Sequence, residues 1–134
     1  MAKGLASCPC SCGSNNDYAV CCGKYIDGEA LPETAEQLMR SRYTAYTQCN
    51  VAYIEATTLE AALADFDHAQ ALQLAKSSTW LGLKVLEHRP HPKHANEAIV
   101  KFDAYFAING KQGHIHETSK FKRIDQRWYY VDGR

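Results

Sequence analysis

The feature that most constrains this chain is a short N-terminal segment in which four cysteines form two close pairs. Cys10 and Cys12 flank one serine, Cys21 and Cys22 are adjacent, and a glycine and a serine directly follow the first pair. A glycine there lets the backbone turn sharply, so that both pairs of thiols approach one point. Four thiolates in such an arrangement are typical of a structural zinc site, with the metal about 2.3 Å from each sulfur. The segment therefore predicts that a bound metal ion holds the N-terminal part of the fold together.

A fifth thiol competes for the four positions, because Cys8 and Cys10 have the same spacing as Cys10 and Cys12. We favour Cys10, Cys12, Cys21 and Cys22 as the ligands, since the Gly-Ser turn follows Cys12 directly. A redox role is the weaker alternative, because Cys21 and Cys22 do not form a Cys-x-x-Cys motif. Four thiolates leave no open position on the metal for water, so the predicted zinc is structural and not catalytic.

The charge balance limits the classes of partner. The chain has 15 Lys and Arg residues against 15 Asp and Glu residues, so its formal net charge is zero. This balance gives no electrostatic case for nucleic acid or for an anionic membrane as a partner. No stretch approaches the ~20 apolar residues that span a bilayer, and no secretory signal is recognisable. We therefore expect a cytoplasmic protein, in a compartment where clustered thiols stay reduced and bind metal.

The pattern of residues predicts two parts. Residues 1–30 are rich in Cys, Gly and Asn and are too few to build a core of their own, so metal must hold them. Residues 31–134 begin with a helix, because Thr34 and Gln37 fit a capping box and apolar side chains then recur at helical spacing. Asn50 and Asp67 are suited to cap two further helices.

In the second half of the chain, apolar residues recur at every second position, which is typical of β-strands. From Trp80 onward apolar and polar residues alternate, and Leu81, Leu83 and Val85 are expected on one face of the first strand. Asn109-Gly110 is a strong hairpin signal, because both residues tolerate positive φ. Helices followed by an antiparallel meander predict an α+β fold.

The cysteine segment resembles the SEC-C motif, the small zinc-binding module at the C-terminus of the SecA translocation ATPase. The shared positions are Cys10, Cys12, Gly13, Ser14, Tyr18, Cys21 and Cys22. The resemblance implies that the same four cysteines ligate zinc. The middle glycine and the lysines usual between the pairs are replaced here by Asn15, Asn16, Asp17, Ala19 and Val20, and loss of the lysines removes the basic face of the module.

Further motifs resemble the YchJ-like (UPF0225) family, which joins a SEC-C motif to an NTF2-like domain. They are Leu38-Met-Arg-Ser-Arg-Tyr43, Trp80-Leu-Gly-Leu83, Glu117-x-Ser119-x-Phe121 and the segment from Trp128 to Gly133. The resemblance implies a curved antiparallel sheet packed on N-terminal helices. It also implies a cavity between them that is suited to a small molecule.

The first helix and the strands carry polar and aromatic residues that could face this cavity. By alternation, Glu117 and Ser119 share a strand face with apolar neighbours. The candidate pocket residues are Arg42, Tyr43, Tyr46, Tyr105, Glu117 and Ser119.

Two interpretations of Glu117 remain open at this point. A carboxyl group in an apolar pocket has a raised pKa and can act as an acid or base. Alternatively Glu117 pairs with an arginine such as Arg42 and holds helix to sheet, and this pair is the arrangement we expect. No phosphate loop, Ser-His-Asp order or paired carboxylates stand out, so no catalytic residue is predicted.

These observations lead to one main functional prediction. The chain is expected to be an adaptor that contacts another protein through its zinc module, because the metal site is closed and no catalytic set accompanies it. The alternative is a small-molecule-binding protein or enzyme that uses the NTF2-like cavity, with Glu117 as acid or base.

Overall fold

The computed structural model describes residues 10–133 of the chain. Cys8, the competing fifth thiol, lies outside these residues. None of the described helices has the length and apolar character that a membrane crossing requires.

The first half of the chain is helical. A 3-10 turn at Tyr18–Val20 leads into the short helix α1, Cys22–Ile26. The long helix α2 is followed by three shorter helices, and their bounds are Ala35–Thr47 (α2), Val51–Ala56 (α3), Glu60–Leu63 (α4) and His68–Ser77 (α5).

The predicted helix caps are confirmed. The Thr34 hydroxyl accepts from the Gln37 amide, and the Gln37 side chain accepts from the Thr34 amide, which completes a capping box. The side chains of Asn50 and Asp67 accept backbone amides at the starts of α3 and α5. Each cap satisfies a donor that would otherwise have no partner in the first turn.

The second half forms one antiparallel sheet of four strands in the order β1-β2-β3-β4. The strands are Thr79–Pro90 (β1), Glu97–Ile108 (β2), Lys111–Ile124 (β3) and Arg127–Gly133 (β4). Asn109 and Gly110 join β2 to β3 with φ values of 53° and 79°, as a tight hairpin requires. Asp125 and Gln126 also have positive φ and join β3 to β4. The predicted α+β fold is confirmed.

The core lies between α2 and the inner face of the sheet. Its fully buried side chains include Leu38 from α2, Val100 from β2 and Phe121 from β3. Alternation along β3 turns Ile115, Glu117 and Ser119 toward this face. The inner face therefore carries both the apolar core and the polar residues proposed for a cavity.

The first strand departs from the expected alternation. Its pairing with β2 shifts register between Trp80 and Gly82, where a β-bulge inserts one extra residue. Such an insertion moves neighbouring side chains to the opposite face. Leu81, expected beside Leu83, is consequently 49% exposed, while Trp80 packs against the core in its place.

Candidate functional site

The two cysteine pairs meet at one point. The sulfur atoms of Cys10, Cys12, Cys21 and Cys22 all lie within 4.8 Å of one another. Cys10, Cys12 and Cys22 are buried, and Cys21 is half-buried. This is the set of four that the spacing and the SEC-C resemblance had singled out.

The distances between the sulfurs suit a tetrahedral metal ion. Four sulfurs about 2.3 Å from a central zinc would lie about 3.8 Å apart. The Sγ atoms of Cys12 and Cys21 are 3.6 Å apart, and those of Cys21 and Cys22 are 3.9 Å apart. The donor set therefore fits a small metal ion that prefers soft ligands.

The charge of the cluster also favours a cation. Hydrogen bonds from Cys22 and Ser14 lower the pKa of Cys12 to about 4, which stabilises one thiolate in the cluster. The hydrogen bond to Cys12 and burial raise the pKa of Cys22, and burial likewise raises that of Cys21. Neighbouring groups alone stabilise the negative charge on Cys12, whereas ionisation of Cys21 and Cys22 as well is favoured by a positive ion among them.

The cysteine cluster is fixed to helix α2 by hydrogen bonds. Arg40 donates from Nη1 to the backbone oxygen of Cys12 at 2.7 Å. The Ser11 hydroxyl donates to Thr44 Oγ1 at 3.1 Å, and Gln48 donates to the Tyr18 hydroxyl at 3.0 Å. The cysteine cluster and the long helix are therefore connected from Arg40 to Gln48, the residue that caps the C-terminus of α2.

Two glycines allow close packing around the cluster. A Cβ atom on Gly13, whose φ is +84°, would lie 2.9 Å from the backbone oxygen of Leu83 in β1. A Cβ atom on Gly23 would lie 2.7 Å from the Tyr18 ring. Only glycine fits both contacts as they stand, and the first contact brings the cysteine segment against the sheet.

A separate cavity opens between the helices and the inner face of the sheet. Its volume is about 610 Å³. The walls are mainly apolar and aromatic, and Arg42, Tyr43, Tyr46, Glu117 and Ser119 reach them. A volume of this size with few polar groups is typical of a site for a small molecule.

Arg42 is buried at the wall of this cavity, yet its partner is not the one expected. Its Nη1 atom donates to the backbone oxygen of Ile54 and to the hydroxyls of Thr57 and Thr58, at 2.7–3.1 Å. Its guanidinium carbon lies 4.5 Å from the centre of the Tyr130 ring. Within residues 10–133 no ion pair joins Arg42 to Glu117, so the expected structural pair is wrong.

Glu117 is instead held by its own strand. The Ser119 hydroxyl, which is buried, donates to Glu117 Oε2 at 2.6 Å. Burial first, and the negative charge of Glu117 second, raise the pKa of Tyr130 to about 12. Burial lowers the pKa of Arg42, an effect that the charge of Glu117 opposes. The charge of Glu117 therefore affects the pKa values of Tyr130 and Arg42, although no cation within residues 10–133 forms an ion pair with it.

Tyr105 is not brought to the cavity. It is 39% exposed, and its ring stacks on His114 at a centroid distance of 5.6 Å. Phe102 and Ala104 line the cavity from the same strand, so alternation places Tyr105 on the outer face.

Sequence reasoning did not assign Trp80 and Tyr130 to the site. Both line the cavity, Trp80 by way of the bulge in β1 and Tyr130 by the alternation of β4. The aromatic run from Trp128 to Tyr130 was a usable signal for Tyr130, but the bulge that turns Trp80 inward left no clear trace in the sequence.

Comparison with known families supports the architecture. A family model described as the middle, NTF2-like domain of YchJ matches residues 34–133. A UPF0225 protein of Haemophilus influenzae is 42% identical over 133 residues, covering 98% of this chain and 79% of its own. A UPF0225 protein of Actinobacillus succinogenes is 39% identical over 127 residues, covering 95% of this chain and 80% of its own.

Two solved structures resemble this chain closely. The solution structure of a SEC-C motif containing protein from Rhodopseudomonas palustris has a TM-score of 0.87 and 33% identity, covering 95% of this chain and 98% of that one. The crystal structure of a SEC-C motif containing protein from Psychrobacter arcticus has a TM-score of 0.81 and 32% identity, covering 98% of this chain and 84% of that one.

Proposed function

The chain belongs to the YchJ-like UPF0225 family, and from this premise we propose that it binds zinc and contacts another protein through its N-terminal module. The module comprises residues 1–30, and the NTF2-like domain on which it stands comprises residues 31–134. The observation that carries the proposal is the convergence of four cysteine sulfurs within 4.8 Å of one another. A donor set of sulfur alone supports zinc over the hard cations, which prefer oxygen.

The zinc would act as a structural staple. Cys10, Cys12, Cys21 and Cys22 would occupy all four positions of the metal, so no position is left to activate water. When bound, the ion offsets two of the four negative charges and ties the two cysteine pairs together. The requirement for reduced thiols supports a cytoplasmic location.

The loop between the cysteine pairs offers a surface for a partner protein. Asn15, Asn16 and Asp17 are exposed there, and Val20 exposes 65% of its surface although it is apolar. The loop lacks the basic residues of the usual motif, and the chain has no net charge, which supports a protein partner over nucleic acid.

Metal content tests the first half of the proposal. The purified protein, analysed by inductively coupled plasma mass spectrometry, should hold one zinc per chain. Cys12→Ser should lose most of it, whereas Cys49→Ser, which changes a cysteine outside the cluster, should keep it. Full zinc occupancy in Cys12→Ser would overturn the assignment.

Affinity capture tests the second half. Val20→Asp changes the exposed loop without touching a ligand, and Leu86→Asp makes the same change at an exposed position of β1. Partners identified by mass spectrometry should be lost with Val20→Asp and kept with Leu86→Asp. If Val20→Asp and the double variant Cys10→Ser, Cys12→Ser both retain the wild-type partners, the module is not the interaction surface.

A second candidate function uses the cavity in the NTF2-like domain. It is favoured by the finding that Glu117 faces a volume of about 610 Å³ and forms no ion pair within residues 10–133. We infer that the cavity receives a small molecule, with Glu117 as the polar group that contacts it. Soaking crystals with metabolite mixtures tests this, and a cavity that stays empty of any ligand would count against it.

A further inference from the structure

We propose that the ligand of this cavity is an organic cation, an ammonium group on an apolar or aromatic body, with Glu117 as its counter-ion. The inference rests on the second candidate function and adds the chemical class of the ligand. Four features of the cavity support it: its net charge, the engagement of Arg42, the availability of Glu117, and the aromatic walls.

The charged groups around the cavity are predominantly acidic. Among residues 10–133, Asp65, Glu117 and Asp132 line it against a single cation, Arg42. Asp65 and Asp132 are exposed at the rim, while Glu117 is half-buried further in. An entering cation therefore meets a net charge of minus two among the lining residues. This balance favours a cationic ligand and disfavours an anionic one.

Arg42 is partly engaged by the protein. Its Nη1 atom donates to three acceptors at the end of α3, and the Tyr130 ring covers its guanidinium group. Within residues 10–133 no hydrogen bond or ion pair uses its Nε or Nη2 atom. An anionic ligand would therefore meet a guanidinium group that is already occupied in part.

One carboxylate oxygen of Glu117 can still accept a hydrogen bond from a ligand. Ser119 donates to Oε2, and no hydrogen bond or ion pair within residues 10–133 uses Oε1. The hydrogen bond from the buried Ser119 also fixes the orientation of the carboxylate. A fixed, half-buried carboxylate with one unused oxygen is suited to accept an ammonium N–H.

Aromatic rings line the same cavity as Glu117. Trp80 packs against Tyr43 and Tyr46 at centroid distances of 5.8 Å and 6.0 Å, and all three line the cavity. Burial raises the pKa of both Tyr43 and Tyr46, so their rings stay neutral in ordinary buffers. Neutral aromatic faces attract organic cations, and the apolar body of the ligand gains from the same walls.

Three probes that differ only in the polar group at one end test the inference. They are 2-phenylethylammonium, the neutral 2-phenylethanol and the anionic 3-phenylpropionate, each titrated into the full, metal-loaded chain. Binding is followed by the chemical shifts of backbone amides of cavity residues in ¹H–¹⁵N spectra, which detect millimolar affinities. We expect 2-phenylethylammonium to bind about tenfold more tightly than 2-phenylethanol, and 3-phenylpropionate to bind least.

A pair of charge-matched variants checks the role of Glu117. Glu117→Gln should weaken 2-phenylethylammonium about tenfold and leave 2-phenylethanol nearly unchanged. Asp103→Asn removes the same unit of charge from the outer face of the sheet and should leave both affinities as they are. The comparison of probes on the wild-type chain does not depend on whether either variant folds.

The outcomes distinguish a wrong ligand charge from a cavity that binds no ligand at all. If 3-phenylpropionate or 2-phenylethanol binds at least as tightly as 2-phenylethylammonium, the cavity takes a ligand but the assignment of a cation is overturned. If no probe shifts any cavity resonance, both the cation and the proposed use of the cavity fail. Equal effects of Glu117→Gln and Asp103→Asn would contradict the role of Glu117.

Discussion

Arg40 donates a hydrogen bond of 2.7 Å from its Nη1 atom to the backbone oxygen of Cys12. The same side chain forms an ion pair with Glu36 one turn earlier on α2. Arg40 therefore links the backbone of the cysteine cluster to the helix that carries the core of the NTF2-like domain. The module is attached to the domain by specific contacts, and each contact can be tested separately.

Loss of the Arg40 contact should loosen the module. Arg40→Gln removes a charged donor that is partly exposed, so we expect unfolding to become easier by about 1 kcal/mol. Amide exchange should rise around Cys12 and stay unchanged in β3. Arg127→Gln, at an exposed position where β4 begins, is the matched control and should change neither quantity. Equal effects of the two variants in chemical denaturation would contradict the contact.

The close approach of Gly13 to β1 can be isolated with a second glycine. Gly13 and Gly28 have φ values of +84° and +83°, but only a Cβ on Gly13 would meet a neighbour, the Leu83 oxygen at 2.9 Å. Both alanine variants should therefore suffer the same strain, and Gly13→Ala should lose about 1–3 kcal/mol more from overpacking. Thermal unfolding of the metal-loaded variants measures the difference. Similar losses at both positions would show that the module does not press on the strand.

Local chemistry made much of the fold predictable. The capping box of Thr34 with Gln37 and the hairpin at Asn109-Gly110 depend only on residues that are close in the chain. A short stretch of sequence is therefore enough to predict them. The convergence of the four cysteines was also predictable, since their spacing along the chain is the one typical of a four-thiolate site.

Contacts between distant segments were less accessible to sequence reasoning. Leu81 was assigned to the wrong face because the bulge between Trp80 and Gly82 has no recognisable sequence pattern apart from the glycine itself. Arg42 was expected to seek a carboxylate, but it bonds to the end of α3, whose position depends on the tertiary fold. The docking of Arg40 on the Cys12 backbone had no sequence signal, since any residue offers the same carbonyl oxygen.

Removal of the metal should unfold the module and leave the sheet. The cysteine cluster has a small core of its own, made mainly of the four cysteines, whereas α2 and the strands share a larger core, and Leu83 packs against both. After treatment with a strong chelator, amides in residues 10–28 should exchange rapidly, while those of Val100 and Phe121 stay protected. Hydrogen exchange followed by mass spectrometry gives both readings at once.

Cys12→Ser offers a second route to the metal-free state and should reproduce the same pattern. Cys49→Ser, treated with the same chelator, should behave like the wild-type chain. Faster exchange across all four strands would contradict independent stability of the domain.

The proximity of Glu117 to Tyr130 should be visible in an alkaline titration. Burial and the charge of Glu117 raise the pKa of Tyr130 to about 12, above the ordinary value of 10. A group whose pKa is raised by folding stabilises the native state fully below its unfolded pKa. That contribution is then lost as the pH rises through the folded value. Stability should accordingly fall between about pH 10 and pH 12.

Tyrosine absorbance near 295 nm measures this ionisation directly. Tyr130→Phe should remove the latest-ionising component of the wild-type titration. Glu117→Gln should move that component to lower pH, because the neutral amide no longer opposes the negative phenolate. Asp103→Asn, on the outer face of the sheet, should leave it in place. An unchanged late component in Glu117→Gln would mean that burial alone, without the carboxylate, sets the pKa of Tyr130.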